Sequence, residues 1–224
     1  MQNLAKYIDQ TLLSQDATEK EVISFCEQAL EYNFYAVCVQ PYRVSAANKV
    51  LKGSNIKIAA VVGFPCGSTF TEIKLKEAEK CIEAGAHEID MVINVGAFKD
   101  GNIKFVKTEI KKMAELPAVL KVIIETGLLT DEEKILACKT AAEAGAGFVK
   151  TSTGFTKNSK PATIEDVKLM FDAVKGTGVK VKASGGIKDY ETALSMINAG
   201  ASRIGTSSGV IILNAGSETA GSGY

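Results

Sequence analysis

Histidine is almost absent: the chain of 224 residues contains one, His87. Metal centres resting on several imidazoles, and a Ser/His/Asp triad, would both have to run through that one side chain, so neither chemistry is expected. Cysteine is sparse and unpatterned. Cys26, Cys38, Cys66, Cys81 and Cys138 are odd in number and form no CxxC pair, which argues against a zinc knuckle and a disulfide framework. No stretch approaches the ~20 apolar residues of a membrane span, and the opening MQNLAKYIDQ lacks the basic start and apolar core of a secretory signal. The expected location is the cytoplasm. Net charge is also missing, because 26 Lys and Arg balance 26 Asp and Glu. No overall field then draws the protein to nucleic acid or to an anionic membrane, and any partner has to be sought in a local pocket.

What the chain does have is 46% hydrophobic residues, enough for a sizeable core, and its length suits one barrel domain over residues 1–224. Runs rich in Val and Ile alternate with amphipathic stretches: FYAVCV, IKIAAVVGF, HEIDMVIN, VLKVIIE, GFVKTST, VKVKASG and SRIGT. That alternation reads as repeated βα units. The short element YID at residues 7–9 brings the count to eight, and eight parallel strands predict an α/β fold closed as a single (β/α)8 TIM barrel. An internal echo supports it. EAGAHEID, EAGAGFVK and NAGASRIG each join a helix end, an Ala-Gly-Ala turn and a strand, with Gly85, Gly145 and Gly200 at the left-handed helix stop. A doubly wound open sheet is the rival, weakened by the lack of Gly-x-Gly-x-x-Gly after the first strand. The Gly- and Ser-rich end, residues 213–224, is expected to be mobile.

Strand parity singles out the chemistry. In VKVKASG, Val179, Val181 and Ala183 share one face and Lys180, Lys182 and Ser184 the other. The apolar face must meet the helices, which aims Lys182 into the barrel. The same rule aims Lys150 inward from GFVKTS and Asp90 inward from HEIDMVIN, beside Glu88. Interior lysines can simply form buried ion pairs. Two on consecutive strands, ~4.8 Å apart, also repel one another by roughly 3 kcal/mol at an effective dielectric of ~20, about 2 pKa units. With desolvation added, one of them becomes a neutral amine suited to Schiff-base chemistry. Asp90 reads either as a counter-ion to Lys182 or as a proton relay.

Glycines cluster where barrel loops gather. Gly154 follows the Lys150 strand, Gly185 and Gly186 follow the Lys182 strand, and GTSSG, from Gly205 through Ser207 and Ser208, leads into a helix. Loops after the seventh and eighth strands, with a helix N-terminus, form the usual phosphate site of a barrel. With only Arg43 and Arg203 present, backbone amides and the two serines are expected to do most of the anion binding.

Taken in order, IDQTLL, AVCV, VVGFP, EIDMVINVGA, KVIIET, FVKTSTGF, VKASGGI and RIGTSSG resemble the deoxyribose-phosphate aldolases, a class I aldolase family, from about residue 6 to 212. The resemblance implies a barrel that, without a metal or other cofactor, reversibly splits 2-deoxy-D-ribose 5-phosphate into D-glyceraldehyde 3-phosphate and acetaldehyde. It places the Schiff-base lysine on Lys150, the second lysine on Lys182 and the acidic relay on Asp90. It also implies a pocket lined by Asp9 and Cys38, although a core cysteine without an activating base is more often inert. Thr153 either supports the pocket floor or caps a turn. Tyr224 is either a tail residue that reaches the site and moves a proton or simply a disordered terminus. Relatives of this kind are often dimers or tetramers, which implies a homo-oligomer. Two positions depart from the pattern: Gln10 stands where IDHTLL is usual, and Phe155 replaces a lysine that some relatives carry. A phosphosugar isomerase or epimerase on the same barrel would need paired carboxylates or histidines, and a non-catalytic phosphosugar-binding barrel would lack the nucleophile.

Overall fold

The computed structural model describes residues 4–155 and 161–221. Eight strands, β1 (Ile8–Leu12), β2 (Ala36–Val39), β3 (Lys57–Val62), β4 (Glu88–Val92), β5 (Val119–Ile123), β6 (Phe148–Lys150), β7 (Lys180–Ser184) and β8 (Ala201–Thr206), close into a parallel barrel in sequence order. Pairing of β1 with β8 completes the ring, with Asp9 opposite Gly205. Outside it run α1 (Glu19–Glu31), α2 (Val44–Leu51), α3 (Thr71–Glu83), α4 (Val95–Lys99), α5 (Ile103–Ala114), α6 (Asp131–Glu143), α7 (Ile164–Val174), α8 (Tyr190–Asn198) and α9 (Gly209–Gly221). The expected TIM barrel is therefore the observed architecture, and the open sheet is excluded by closure.

The layers follow from side-chain period. Val37, Val39, Ile58, Ala60, Ile89, Met91, Val122, Val149, Val181, Ala183 and Ile204 leave the strands outward and join the helices in one buried cluster. A much smaller apolar group, Leu13, Cys38, Ala59 and Val61, fills part of the interior. The remaining interior is charged. Helix starts are fixed locally: Thr18 before α1 and Thr130 before α6 each close a capping box with a glutamate three residues on. Gly85, Gly145 and Gly200 adopt φ of 113°, 93° and 113°, as the repeated Ala-Gly-Ala turns predicted. At Gly200 a Cβ would lie 2.5 Å from the Phe171 ring, so close packing demands glycine there as well.

Helix α9, which begins at Gly209, runs on into the Gly- and Ser-rich end and reaches Gly221. Its first turns carry the apolar run Val210–Leu213, with Ile212 fully buried, and Gly216 packs where a Cβ would meet the Tyr190 ring at 2.6 Å. Docking on β1 and α8 thus nucleates a helix that Gly and Ser alone disfavour. His87 sits at the N-terminal end of β4, where its Nδ1 accepts the Ile58 N–H at 3.2 Å, far along the chain direction from the loops that build the site. Among the described residues no helix is long and apolar enough to cross a membrane.

Candidate active site

Parity puts charge inside the barrel, and register brings it together. Lys150 and Lys182 are direct neighbours across β6 and β7, and Asp90 and Lys121 across β4 and β5. A register shift between Val181 and Lys182 pairs Lys182 with Arg203 of β8, so that strand irregularity re-aims the lysine beside the guanidinium. Asp90 is the hub. Its Oδ2 accepts from Lys150 at 2.7 Å and from Lys182 at 2.8 Å, while its Oδ1 accepts from Lys121 at 2.8 Å. Asp9 accepts from Lys182 at 2.5 Å and from Arg203 at 2.6 Å, and Glu88 accepts from Lys121 at 2.5 Å. The Arg203 guanidinium also lies 3.5 Å over the Tyr35 ring.

The network holds three carboxylates, Asp9, Glu88 and Asp90, against four cationic side chains, Lys121, Lys150, Lys182 and Arg203. One positive charge is in excess among buried side chains, which favours loss of a proton from one of the cations. Burial, with repulsion from Lys182, lowers the Lys150 ammonium below its usual range despite the pull of Asp90. Lys182 moves the opposite way: burial opposes its charge, but Asp9 and Asp90 outweigh that and raise it. Lys121 is likewise raised, by Asp90, Asp9 and Glu88 against burial. Asp90, although fully buried, is held well below the carboxylate range by the three lysines. Lys–Lys repulsion, expected from the strand pattern to lead, is not the largest cause of the lowered amine: burial is larger, and Asp90, bonded to both nitrogens, pulls the other way.

Above this network opens a cavity of about 430 Å³, lined by residues at the C-terminal ends of the strands. Lys150 is the one member of the network that lines it; Asp9, Asp90 and Lys182 are fully buried behind it. Thr153, Gly154, Gly185, Gly186, Gly205 and Ser207 line the cavity too, so the predicted loops do converge. Ser208 is not among the lining residues, and its N–H is taken by Thr206 Oγ1 at 2.9 Å. Cys38 is buried inside the barrel with Sγ 4.0 Å from Asp90, and burial plus that carboxylate raise its thiol above the usual range. It presents no thiolate and does not line the cavity. Tyr224 lies outside the described residues.

Several participants escaped the sequence reading. Lys121 obeys the same parity rule as Lys182, flanked by the outward apolar residues Leu120 and Val122, and the rule would have found it; Arg203, between Ser202 and Ile204, carries the signal on one side alone. Lys188, exposed near the end of the β7–α8 connection, is the second charged residue of the cavity wall and supplies a cation where only amides and serines were expected. Glu125 is buried in left-handed backbone at φ 57° and accepts from Thr153 at both N–H, 3.2 Å, and Oγ1, 2.6 Å. Thr153 is therefore held as a brace for the loop. Phe155 packs edge-on against Phe64 at 5.1 Å, giving that side of the mouth an apolar edge. Among the described residues no group of His, Cys, Asp or Glu is arranged to hold a metal ion.

An amine of lowered proton affinity facing a cavity, a carboxylate behind it and a glycine-rich rim are parts for carbonyl chemistry on an anionic substrate. Comparison with known proteins agrees. Residues 3–216 match the model of the DeoC/LacD family aldolases. A protein of Thermococcus gammatolerans named deoxyribose-phosphate aldolase is 54% identical over 217 residues, 94% of this chain and 95% of that protein. Among solved structures, one described as QR15, an aldolase, is 44% identical and superposes with a TM-score of 0.92 over 98% of both chains. The tetrameric deoxyribose phosphate aldolase of Aeropyrum pernix is 35% identical with a TM-score of 0.90, over 96% of this chain and 92% of that one. The chain belongs to the DeoC/LacD family of aldolases.

Proposed function

We propose that this protein is a class I aldolase that reversibly cleaves 2-deoxy-D-ribose 5-phosphate to D-glyceraldehyde 3-phosphate and acetaldehyde through a Schiff base on Lys150. The observation that carries the reading is the division of labour between the lysines. Lys150 alone of the network meets the cavity and has the lowered proton affinity, whereas Lys182 is held charged behind it.

The neutral Lys150 amine adds to the C1 aldehyde and water leaves, forming a protonated imine. The electron pair of the C2–C3 bond moves into that imine as the C3 hydroxyl loses its proton through a water to Asp90, with Lys182 stabilising the developing charge. Glyceraldehyde 3-phosphate departs. The remaining enamine takes a proton at carbon, and hydrolysis returns acetaldehyde and free Lys150. Gly154, Gly185, Gly186, Gly205 and Ser207, with Lys188, hold the phosphate. Asp9 keeps Lys182 charged and in place, and Thr153 braced by Glu125 fixes one wall. A phosphosugar is thus the partner, the cytoplasm the compartment, and a homo-oligomer the assembly, the last supported by the tetrameric relative.

Incubation with acetaldehyde and borohydride tests this. An ethyl adduct mapped to Lys150 and lost in Lys150→Ala supports the mechanism. An adduct on Lys182 would exchange the lysines' roles, and none on folded protein would favour a non-catalytic binder or an isomerase.

A further inference from the structure

Consecutive residues of β1 serve opposite sides of the barrel wall. Asp9 enters the charge network, while Gln10, 3% exposed, points out into the layer under α9. Its side chain is used at both ends. Oε1 accepts the Gly209 N–H at 3.0 Å, and Nε2 donates to the Ser207 carbonyl at 3.3 Å. Gly209 is one of the helix-start amides that lack an intrahelical acceptor, so Gln10 supplies from β1 what the helix cannot. The approach is close enough that a Cβ on Gly209 would lie 2.4 Å from Gln10 Oε1 and 2.9 Å from the Phe34 ring. A second tie fixes the same loop from the other side: Thr206 Oγ1 donates to the Ile187 carbonyl at 2.6 Å and accepts the Ser208 N–H. Gly205, Thr206 and Ser207 line the cavity between these anchors, and so do Leu12 at the end of the strand that carries Gln10 and Leu13 just after it.

We propose that Gln10 is a positioning residue for the anion-binding loop, setting how strongly the site prefers phosphorylated over unphosphorylated substrate. This rests on the aldolase reading above. Gln10 touches neither substrate nor Lys150. It holds Ser207 and the start of α9 at a fixed distance from β1, and the remaining loop amides then point into the cavity without reorganising when an anion arrives. Released, the loop has to be ordered by the ligand, and affinity for the phosphate end falls while the imine chemistry at Lys150 keeps its geometry.

The test is Gln10→Met, which keeps the bulk and removes both bonds. The ratio of kcat/KM for 2-deoxyribose 5-phosphate to that for 2-deoxyribose is expected to fall about tenfold, through KM of the phosphorylated sugar. Calorimetric titration with inorganic phosphate is expected to show a matching loss of affinity. Gln10→Glu keeps an acceptor for Gly209 but turns the contact with the Ser207 carbonyl repulsive, and is expected to lose more. Equal losses on both substrates with unchanged phosphate affinity in both variants would overturn the inference. Acetaldehyde trapping on wild-type Lys150 separates the two claims: its failure sinks the aldolase reading, whereas phosphate titration still decides the role of Gln10.

Discussion

If Lys150 owes part of its lowered proton affinity to Lys182, removing that charge must raise it. The two nitrogens bond one oxygen, Asp90 Oδ2, at 2.7 and 2.8 Å. They are therefore no more than about 5.5 Å apart, and at an effective dielectric of ~20 their repulsion is roughly 3 kcal/mol or more, about 2 pKa units. Lys182→Met removes the repulsion and also leaves Oδ2 to Lys150 alone, and both effects favour the ammonium. Burial remains, so the amine stays below its ordinary value of 10.5, but the midpoint should rise by about 2 units. The assay is the rate of reductive trapping of acetaldehyde by cyanoborohydride, followed by intact mass from pH 5 to 10. Dividing variant by wild-type rates at each pH cancels the pH dependence of the reductant. Lys182→Arg keeps the charge and should leave the midpoint nearly in place. A Lys182→Met midpoint within about half a unit of wild type would show that burial alone tunes Lys150, and the charge-excess argument would be wrong.

Stability should respond oppositely to the two lysines. Lys150 binds its proton more weakly folded than unfolded, so between its lowered value and 10.5 the unfolded chain holds more protons and stability rises with pH. Lys150→Met abolishes activity yet should unfold about 2 to 4 °C higher near pH 7, an advantage that disappears above pH 10.5, measured by calorimetry. The raised Lys182 contributes stability that is complete below 10.5 and lost only as pH climbs through its folded value. Lys182→Met strips Asp9 and Asp90 of a buried partner and should cost about 3 to 5 kcal/mol in urea unfolding at pH 7. Lys188→Ala should raise KM for the phosphorylated sugar several-fold, and the difference should shrink at high salt in steady-state assays. Gly186→Ala is expected to destabilise, because φ is 78° and a Cβ would sit 2.5 Å from Pro161 Cβ; a variant as stable as wild type in thermal unfolding would contradict that.

Which parts of this site could be read in the sequence depends on the range of the rule that reveals them. Inward placement of Lys150, Lys182 and Asp90 needs only the two-residue period of a strand with an apolar outer face. The same rule covers Lys121 between Leu120 and Val122, both on the buried outer side. Neighbourhood around the ring is less local. Asp9 meets Lys182 and Arg203 because β1 closes on β8 and because β7 slips against β8 at Lys182, and neither closure nor bulge has a signature in those few residues. The start of α9 after GTSSG was legible, whereas its run to Gly221 was not, because Gly and Ser carry no helical period and the surface on which α9 packs lies elsewhere in the chain.

The sign of each lysine's shift depends on where a carboxylate stops. Asp9 reaches Lys182 and not Lys150, so of two amines sharing Asp90 one has a second anion and the other has none. That asymmetry decides which lysine stays charged. Repulsion between two equivalent lysines cannot choose between them, whereas β1, one strand removed from β7 across β8, brings Asp9 to one side and can. Asp9 is thus the residue that makes a pair of similar side chains into a nucleophile and its charged support. Asp9→Asn should therefore lower the Lys182 proton affinity, shift the excess charge back toward Lys150 and raise the trapping midpoint of Lys150 while Lys182 is still present. A midpoint that stays put with Lys182 fully charged would mean that the cavity's exposure of Lys150, and not the distribution of anions, selects the nucleophile.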